Sequence, residues 1–173
     1  LKLWLLDADV TIKLLELGVL DSLAKQHKVH VASTVVSEVK YYKKNEQKIQ
    51  VDFRKVYIDS GKITEITSSA EDMQEVLRRL PALKRDAIHA GEIESLAILL
   101  HEESLTLCTF DAAAIRVVPF LDASERAISA EKLLQTSGLT LSPGHKLDSR
   151  LSEEYFQSNL SIGRKEFIYS SGK

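Results

Sequence analysis

Short apolar runs alternate with stretches of helical spacing along most of the chain. Residues 2–6 form a brief, mostly apolar run that ends at Asp7. A run of that length without polar alternation predicts a strand buried on both faces, as in a parallel sheet. Val10, Leu14, Leu15 and Leu17 then recur at helical spacing up to Gly18, and Leu20 and Leu23 mark a second short helix. Residues 29–32 read as the next strand, with Ser33 and Thr34 as caps for a helix over 35–44. Residues 45–60 are polar and mixed, with Val51, Phe53, Val56 and Tyr57 suggesting one helical piece. Residues 62–67 predict a strand. Ser68 with Glu71 forms a capping-box pattern before a helix carrying Met73, Val76, Leu77 and Leu80, which stops at Pro81. Gly91 opens a further helix with Ile93, Leu96, Ala97 and Leu100. Residues 104–108 read as a strand that leads to Asp111, followed by a short helix through Val118. A helix over 129–136 closes at Gly138. Beyond it the pattern predicts one amphipathic segment around Leu151, Tyr155 and Phe156, and otherwise loop.

Strands alternating with helices predict an α/β fold, a three-layer α/β/α arrangement around a mainly parallel sheet. Right-handed crossovers then gather the C-terminal ends of the strands on one edge, where open sheets of this kind bind ligands. Residues 1–138 suffice for such a domain, and 139–173 form a C-terminal extension without an assigned role.

Four carboxylates fall where that edge would collect them. Asp7 and Asp111 each follow a strand; Glu38 and Glu92 lie on the helices that follow Ser33 and open at Gly91. Any one of them reads more simply as a turn residue, a cap or a complement to a helix dipole. Four at one edge is a different matter. Like charges about 4 Å apart repel by about 4 kcal/mol at an effective dielectric near 20, so such a group takes up protons or binds cations. Carboxylate oxygens suit Mg²⁺ or Mn²⁺, and a metal so held suits phosphodiester hydrolysis.

At these residues the chain resembles the PIN-domain family. The opening Leu5-Leu6-Asp7-Ala8-Asp9-Val10 is similar to the family's first strand and acid, and Thr34-Val35-Val36-Ser37-Glu38-Val39 to the approach to its second. Gly91-Glu92-Ile93-Glu94-Ser95-Leu96-Ala97-Ile98 resembles the Gly-Glu-x-Glu form of the third motif, and Leu105-Thr106-Leu107-Cys108-Thr109-Phe110-Asp111 the fourth. The likeness covers roughly residues 3–118. It implies a metal-dependent ribonuclease, often the toxin of a toxin–antitoxin pair, with RNA as substrate and an antitoxin protein or a second copy of the chain as partner. Asp7, Glu38, Glu92 and Asp111 would hold Mg²⁺ or Mn²⁺. Asp9 and Thr109 would stand behind them; for Thr109 a hydroxyl satisfied by backbone is an equal reading. The third acid stays open among Asp86, Glu92 and Glu94. Where many relatives carry a further acid, residues 112–114 are all alanine.

Composition limits the alternatives. The 173 residues are 44% apolar and 28% charged, which suits a globular domain. No apolar run approaches the roughly 20 residues of a membrane span. A single cysteine, Cys108, excludes an internal disulfide and fits a reducing, cytoplasmic setting; its apolar neighbours mark it as a core residue, and the five histidines show no zinc spacing. The net charge of −2 leaves no general basic coat for nucleic acid. Two local basic runs remain: Lys40, Lys43, Lys44 and Lys48 around Tyr41 and Tyr42, expected on the helix of Glu38, and Arg78, Arg79, Lys84 and Arg85. Either is an RNA-binding candidate or a solvated face. Two rival functions stay in play. Asp7-Ala8-Asp9-Val10-Thr11 also fits the opening motif of haloacid-dehalogenase phosphatases, with Asp7 as nucleophile. The other rival is a degenerate domain that only binds.

Overall fold

The computed structural model describes residues 1–172. Five strands form one wholly parallel sheet: β1 (Leu3–Leu6), β2 (Lys28–Ala32), β5 (Thr64–Ile66), β6 (Thr106–Cys108) and β7 (Ala127–Ile128), in the order β5-β2-β1-β6-β7. The short apolar runs became its buried centre: Trp4, Leu5, Leu6, Val29, Val31 and Leu107 are each at most 2% exposed. Helices α1 (Ala8–Glu16) and α2 (Leu20–Gln26) connect β1 to β2, and α3 (Ser33–Glu38) follows β2. Between β5 and β6 come α4 (Ala70–Arg79), α5 (Ala82–Arg85) and α6 (Ala90–His101), and between β6 and β7 lies α7 (Ala112–Val117). The chain moves outward one way from β1 through β2 to β5, then returns to lay β6 on the other side of β1. With right-handed crossovers, that reversal puts helices on both faces and gives a three-layer α/β/α architecture. The β1–β6 boundary is its topological switch point.

Three local expectations are corrected. The helix over 35–44 stops at Glu38. Val39 leaves helical geometry, and residues 41–50 form an antiparallel hairpin of β3 (Tyr41–Lys44) and β4 (Gln47–Gln50). Asn45 and Glu46 at its tip both have positive φ, the backbone that matches a two-residue turn to strand twist. Paired aromatic and β-branched residues, Tyr42 opposite Ile49, outweigh the weak helical leaning of the lysines. The lysine run therefore does not share a helix with Glu38. The cap of α4 sits one residue later than expected: the Asp72 amide donates to Ser69 Oγ at 3.0 Å, and the Ser69 amide to Asp72 Oδ2.

The third correction is the C-terminal segment. Beyond α8 (Ala130–Thr136), the helix α9 (Glu153–Ser171) runs for 19 residues where mostly loop was expected. It lies on α7 through Ile115, Phe156 and Leu160. Gly163 makes the crossing possible, because a Cβ there would come within 2.3 Å of the Arg116 carbonyl oxygen. Arg116 Nε donates to Asn159 Oδ1 at 2.9 Å beside it. Leu151 and Phe156 are thus core residues, while Phe167 and Ile168 remain at the surface. No helix among the described residues is long and apolar enough to cross a membrane.

Candidate active-site cleft

The register aligns the strand ends that carry the acids. Leu6 is level with Val31 on one side and Cys108 on the other, so Asp7 emerges beside Thr109. The Asp7 amide donates to the Cys108 carbonyl and continues the sheet by one bond. Its side chain caps α1: Oδ1 accepts from the Val10 amide at 2.7 Å. Asp111 repeats the device on the neighbouring strand, with Oδ1 accepting from the Ala114 amide at 2.8 Å as the cap of α7. Two strand–acid–helix units thus stand side by side across the switch point. The capping role of each acid is real, and it occupies one carboxylate oxygen.

α6 brings the third acid. Glu92 lies in its first turn, and Oε2 accepts from the His89 amide at 3.0 Å. Glu38, the last residue of α3, reaches across to Gly91; a Cβ at position 91 would lie 2.8 Å from Glu38 Oε1. Asp7, Asp9, Glu38, His89, Gly91 and Glu92, with Ala8 and Val35, line one cleft of about 200 Å³. Asp111 lies outside that lining, near enough for its charge to act on Glu92.

The cleft resists ionisation. Burial pushes the Asp7 carboxyl up to about 7; the Thr109 hydroxyl and the Val10 amide oppose this, and the charges of Asp9 and Glu92 add to it. Glu92 is also raised, first by burial, with Asp111 and Asp9 contributing. Thr109 holds a bridging place: its Oγ1 accepts from the Asp111 amide at 3.1 Å and its hydroxyl serves Asp7. Cys108, directly beneath, is wholly buried, and burial drives its thiol upward.

Comparison with family models, curated proteins and solved structures finds no match to this chain. The site therefore stands on its own geometry. Among the described residues, no group of three or more His, Cys, Asp or Glu side chains is placed so that it could hold a metal ion as the side chains stand. The expected four acids come to one end of the sheet without closing into a coordination shell.

The remaining candidates separate clearly. Asp86 is exposed at the end of α5 and is not part of the cleft lining. Glu94 is 4% exposed and turned to other work. Its Oε2 accepts from the Thr34 amide at 2.8 Å and the Thr34 hydroxyl at 2.7 Å, and its Oε1 from the Ser68 amide. It ties α6 to the start of α3, and so sets where α3 delivers Glu38. Of the second basic run, Arg79 pairs with Glu75, Arg85 Nε donates to the Leu80 carbonyl, and Lys84 pairs with Glu166.

Ser95 went unnoticed in the sequence. It lines a narrow seam under Asp7 and Glu92 together with Thr109, and its buried Oγ has no hydrogen-bond partner. Its spacing of three from Glu92, on a helix, was the available signal.

Proposed function

We propose that the chain is a Mg²⁺- or Mn²⁺-dependent ribonuclease that hydrolyses RNA phosphodiesters at the β1–β6 switch point. The observation that supports it most is Asp7, buried at the strand end, facing the charges of Asp9 and Glu92, with its carboxyl raised to about 7. Such a carboxylate is stabilised by a proton or by a cation. The donor set fits a hard divalent cation: it is all carboxylate oxygen, with Asp7, Glu38, Glu92 and Asp111 as holders. Glu38 is exposed and able to change rotamer on binding. A bound ion would supply an acidified water and a counter-charge for the phosphate.

The chain's own residues do the positioning. The Val10 and Ala114 amides fix Asp7 and Asp111 through one oxygen each. The β1–β6 pairing sets Asp7 beside Thr109, whose Oγ1 accepts from the Asp111 amide. The His89 amide holds Glu92 toward the same cleft.

The phosphatase alternative is not favoured. The cleft lining holds no lysine or arginine to receive a phosphate monoester beside Asp7. A toxin role, with an antitoxin protein or a second copy as partner, belongs to the same proposal; growth arrest on expression, relieved by Asp7→Asn, would support it.

The direct test is RNA cleavage with Mn²⁺ by the wild type, Asp7→Asn and Asp111→Asn. Asparagine retains the capping oxygen, so both variants should fold. The expected result is cleavage by the wild type and a loss of at least about 100-fold in each variant, the order of one strong charged contact in the transition state. Equal activity in all three would remove the acids from the mechanism.

A further inference from the structure

The β3–β4 hairpin is the part of the molecule that the cleft does not explain. Over residues 40–50, Lys40, Lys43, Lys44 and Lys48 stand against Glu46 alone, a local charge of +3 on a chain whose net charge is −2. The remainder of the chain therefore carries −5. Opposite residues of an antiparallel pair share a face, so Tyr41 and Gln50 lie with Lys43 and Lys48 on one side of the ribbon. Tyr42 and Ile49 occupy the other side and are half-buried. The outer face is open: Tyr41 keeps 48% of its surface exposed, although its apolar ring would ordinarily pack inward. Lys48 Nζ lies 3.5 Å from the Tyr41 ring centroid. Among the described residues, no carboxylate forms an ion pair with any of the four lysines. Three of the four members of the second basic run differ, since Arg79, Lys84 and Arg85 are each committed to a protein partner.

We infer that this hairpin is an arm that grips single-stranded RNA, with Tyr41 as the platform for one base and Lys43 and Lys48 on the flanking phosphates. A half-exposed aromatic ring that Lys48 already approaches by its face, beside lysines without carboxylate partners, suits an unstacked base and its backbone. It does not suit duplex RNA, whose bases are stacked away from such a ring. The arm is also anchored close to the cleft. Two residues, Val39 and Lys40, separate Glu38 from Tyr41, a chain reach of at most about 11 Å, while the Lys43 amide donates to Glu16 Oε1 at the C-terminal end of α1, the end opposite the Asp7 cap. This inference deepens the ribonuclease reading and rests on it for the choice of nucleic acid.

Its test measures binding apart from cleavage. A fluorescent oligouridylate of about 12 nucleotides is titrated with the whole chain in EDTA at several salt concentrations, beside a duplex of equal length. The wild type should prefer the single strand. Tyr41→Ala should weaken binding by about 5- to 100-fold, and Tyr41→Phe should restore it. Lys43→Gln with Lys48→Gln should reduce the salt slope by about 1.4, the value for two phosphate contacts on a single strand. Arg79→Gln, at a residue paired with Glu75, should leave binding unchanged. All substituted positions are at the surface, and matching melting temperatures would confirm that the variants are folded. Hairpin variants that bind like the wild type, a duplex bound as tightly as the strand, or no binding by the wild type would each overturn the arm. Cleavage with Mn²⁺ separates the two ideas. Loss of binding in the hairpin variants of a chain that cleaves nothing keeps the arm and sinks the nuclease. Cleavage by a chain whose hairpin variants bind normally does the reverse.

Discussion

Asp7 and Glu94 are both buried carboxylates, 7% and 4% exposed, one at the end of β1 and the other within α6. Their surroundings differ. Glu94 sits among donors, with the Thr34 amide and hydroxyl and the Ser68 amide all directed at it. Asp7 receives the Val10 amide and the Thr109 hydroxyl, but burial pushes its carboxyl up to about 7, and the charges of Asp9 and Glu92 add to the rise. One region is a completed polar joint; the other holds negative charge in want of a counter-charge. A buried acid that the fold satisfies is structural, and one that the fold leaves in deficit is the better candidate for chemistry.

The largest expected effect probes the deficit. Asp7 titrates near 3.8 when unfolded and near 7 when folded. Between those values the native state holds a proton that the unfolded chain has released, so its contribution to stability falls as pH rises from about 4 to 7 and is lost above that. Asp7→Asn removes the loss. Without metal, the variant should be the more stable protein at about pH 8, by a margin on the order of 4 kcal/mol, and the two should converge near pH 4. Melting curves across that range check it; parallel curves would mean that Asp7 is already satisfied.

Glu94→Ala should do the opposite. It strands two donors of Thr34 and one of Ser68, at a cost of about 3 kcal/mol. For a domain of this size that lowers the melting temperature by roughly 6–12 °C. Glu94→Gln, which keeps an acceptor for Thr34, should recover part of this. Activity per folded molecule should fall less than in Asp7→Asn, because Glu94 acts only by placing α3.

A divalent cation sharpens the contrast from outside. If the cleft binds Mn²⁺, then Mn²⁺ at a hundred times its dissociation constant stabilises the wild type by about 2.7 kcal/mol, roughly 5–11 °C in melting temperature. Glu94→Gln should show the same increment from a lower starting point, and Asp7→Asn should show little. An equal increment in Asp7→Asn would place any bound cation elsewhere.

These two carboxylates also show how far the sequence could be read. Asp7 was legible because its position follows from strand and helix periodicity: a buried apolar run, an acid, then a helix, repeated at Asp111. The parallel sheet was legible for the same reason. The place after Gly91 favours Glu92 over Glu94, but the pattern that sets the two apart on one helix does not show that Glu94 meets Thr34, sixty residues away. The hairpin over 41–50 and the strand β7 were hidden by different causes. The first lay in a lysine-rich stretch where helix and strand leanings nearly cancel, and its turn is set by Asn45 and Glu46 in left-handed backbone. The second spans two residues and exists only as an edge partner of β6, too short to leave a period. The docking of α9 depends on Gly163 meeting the Arg116 backbone, which no local pattern records.

The smallest effect on stability tests the seam between the two regions. Gly91 lies one residue before Glu92, and a methyl group there would press on Glu38 Oε1 at 2.8 Å. The atom it meets is the end of an exposed, flexible side chain, so Gly91→Ala should move Glu38 toward solvent and leave the fold alone. Alanine also favours the helix by up to about 1 kcal/mol, and the net change in stability should be within about 1 kcal/mol of zero. Cleavage should nonetheless fall by about tenfold, equivalent to 1.4 kcal/mol in the barrier. The decisive comparison is a double-mutant cycle with Glu38→Ala. If the glycine exists to admit the glutamate, Gly91→Ala should cost nothing further once Glu38 is gone. An equal loss in both backgrounds would show that the absent side chain at 91 serves the substrate directly.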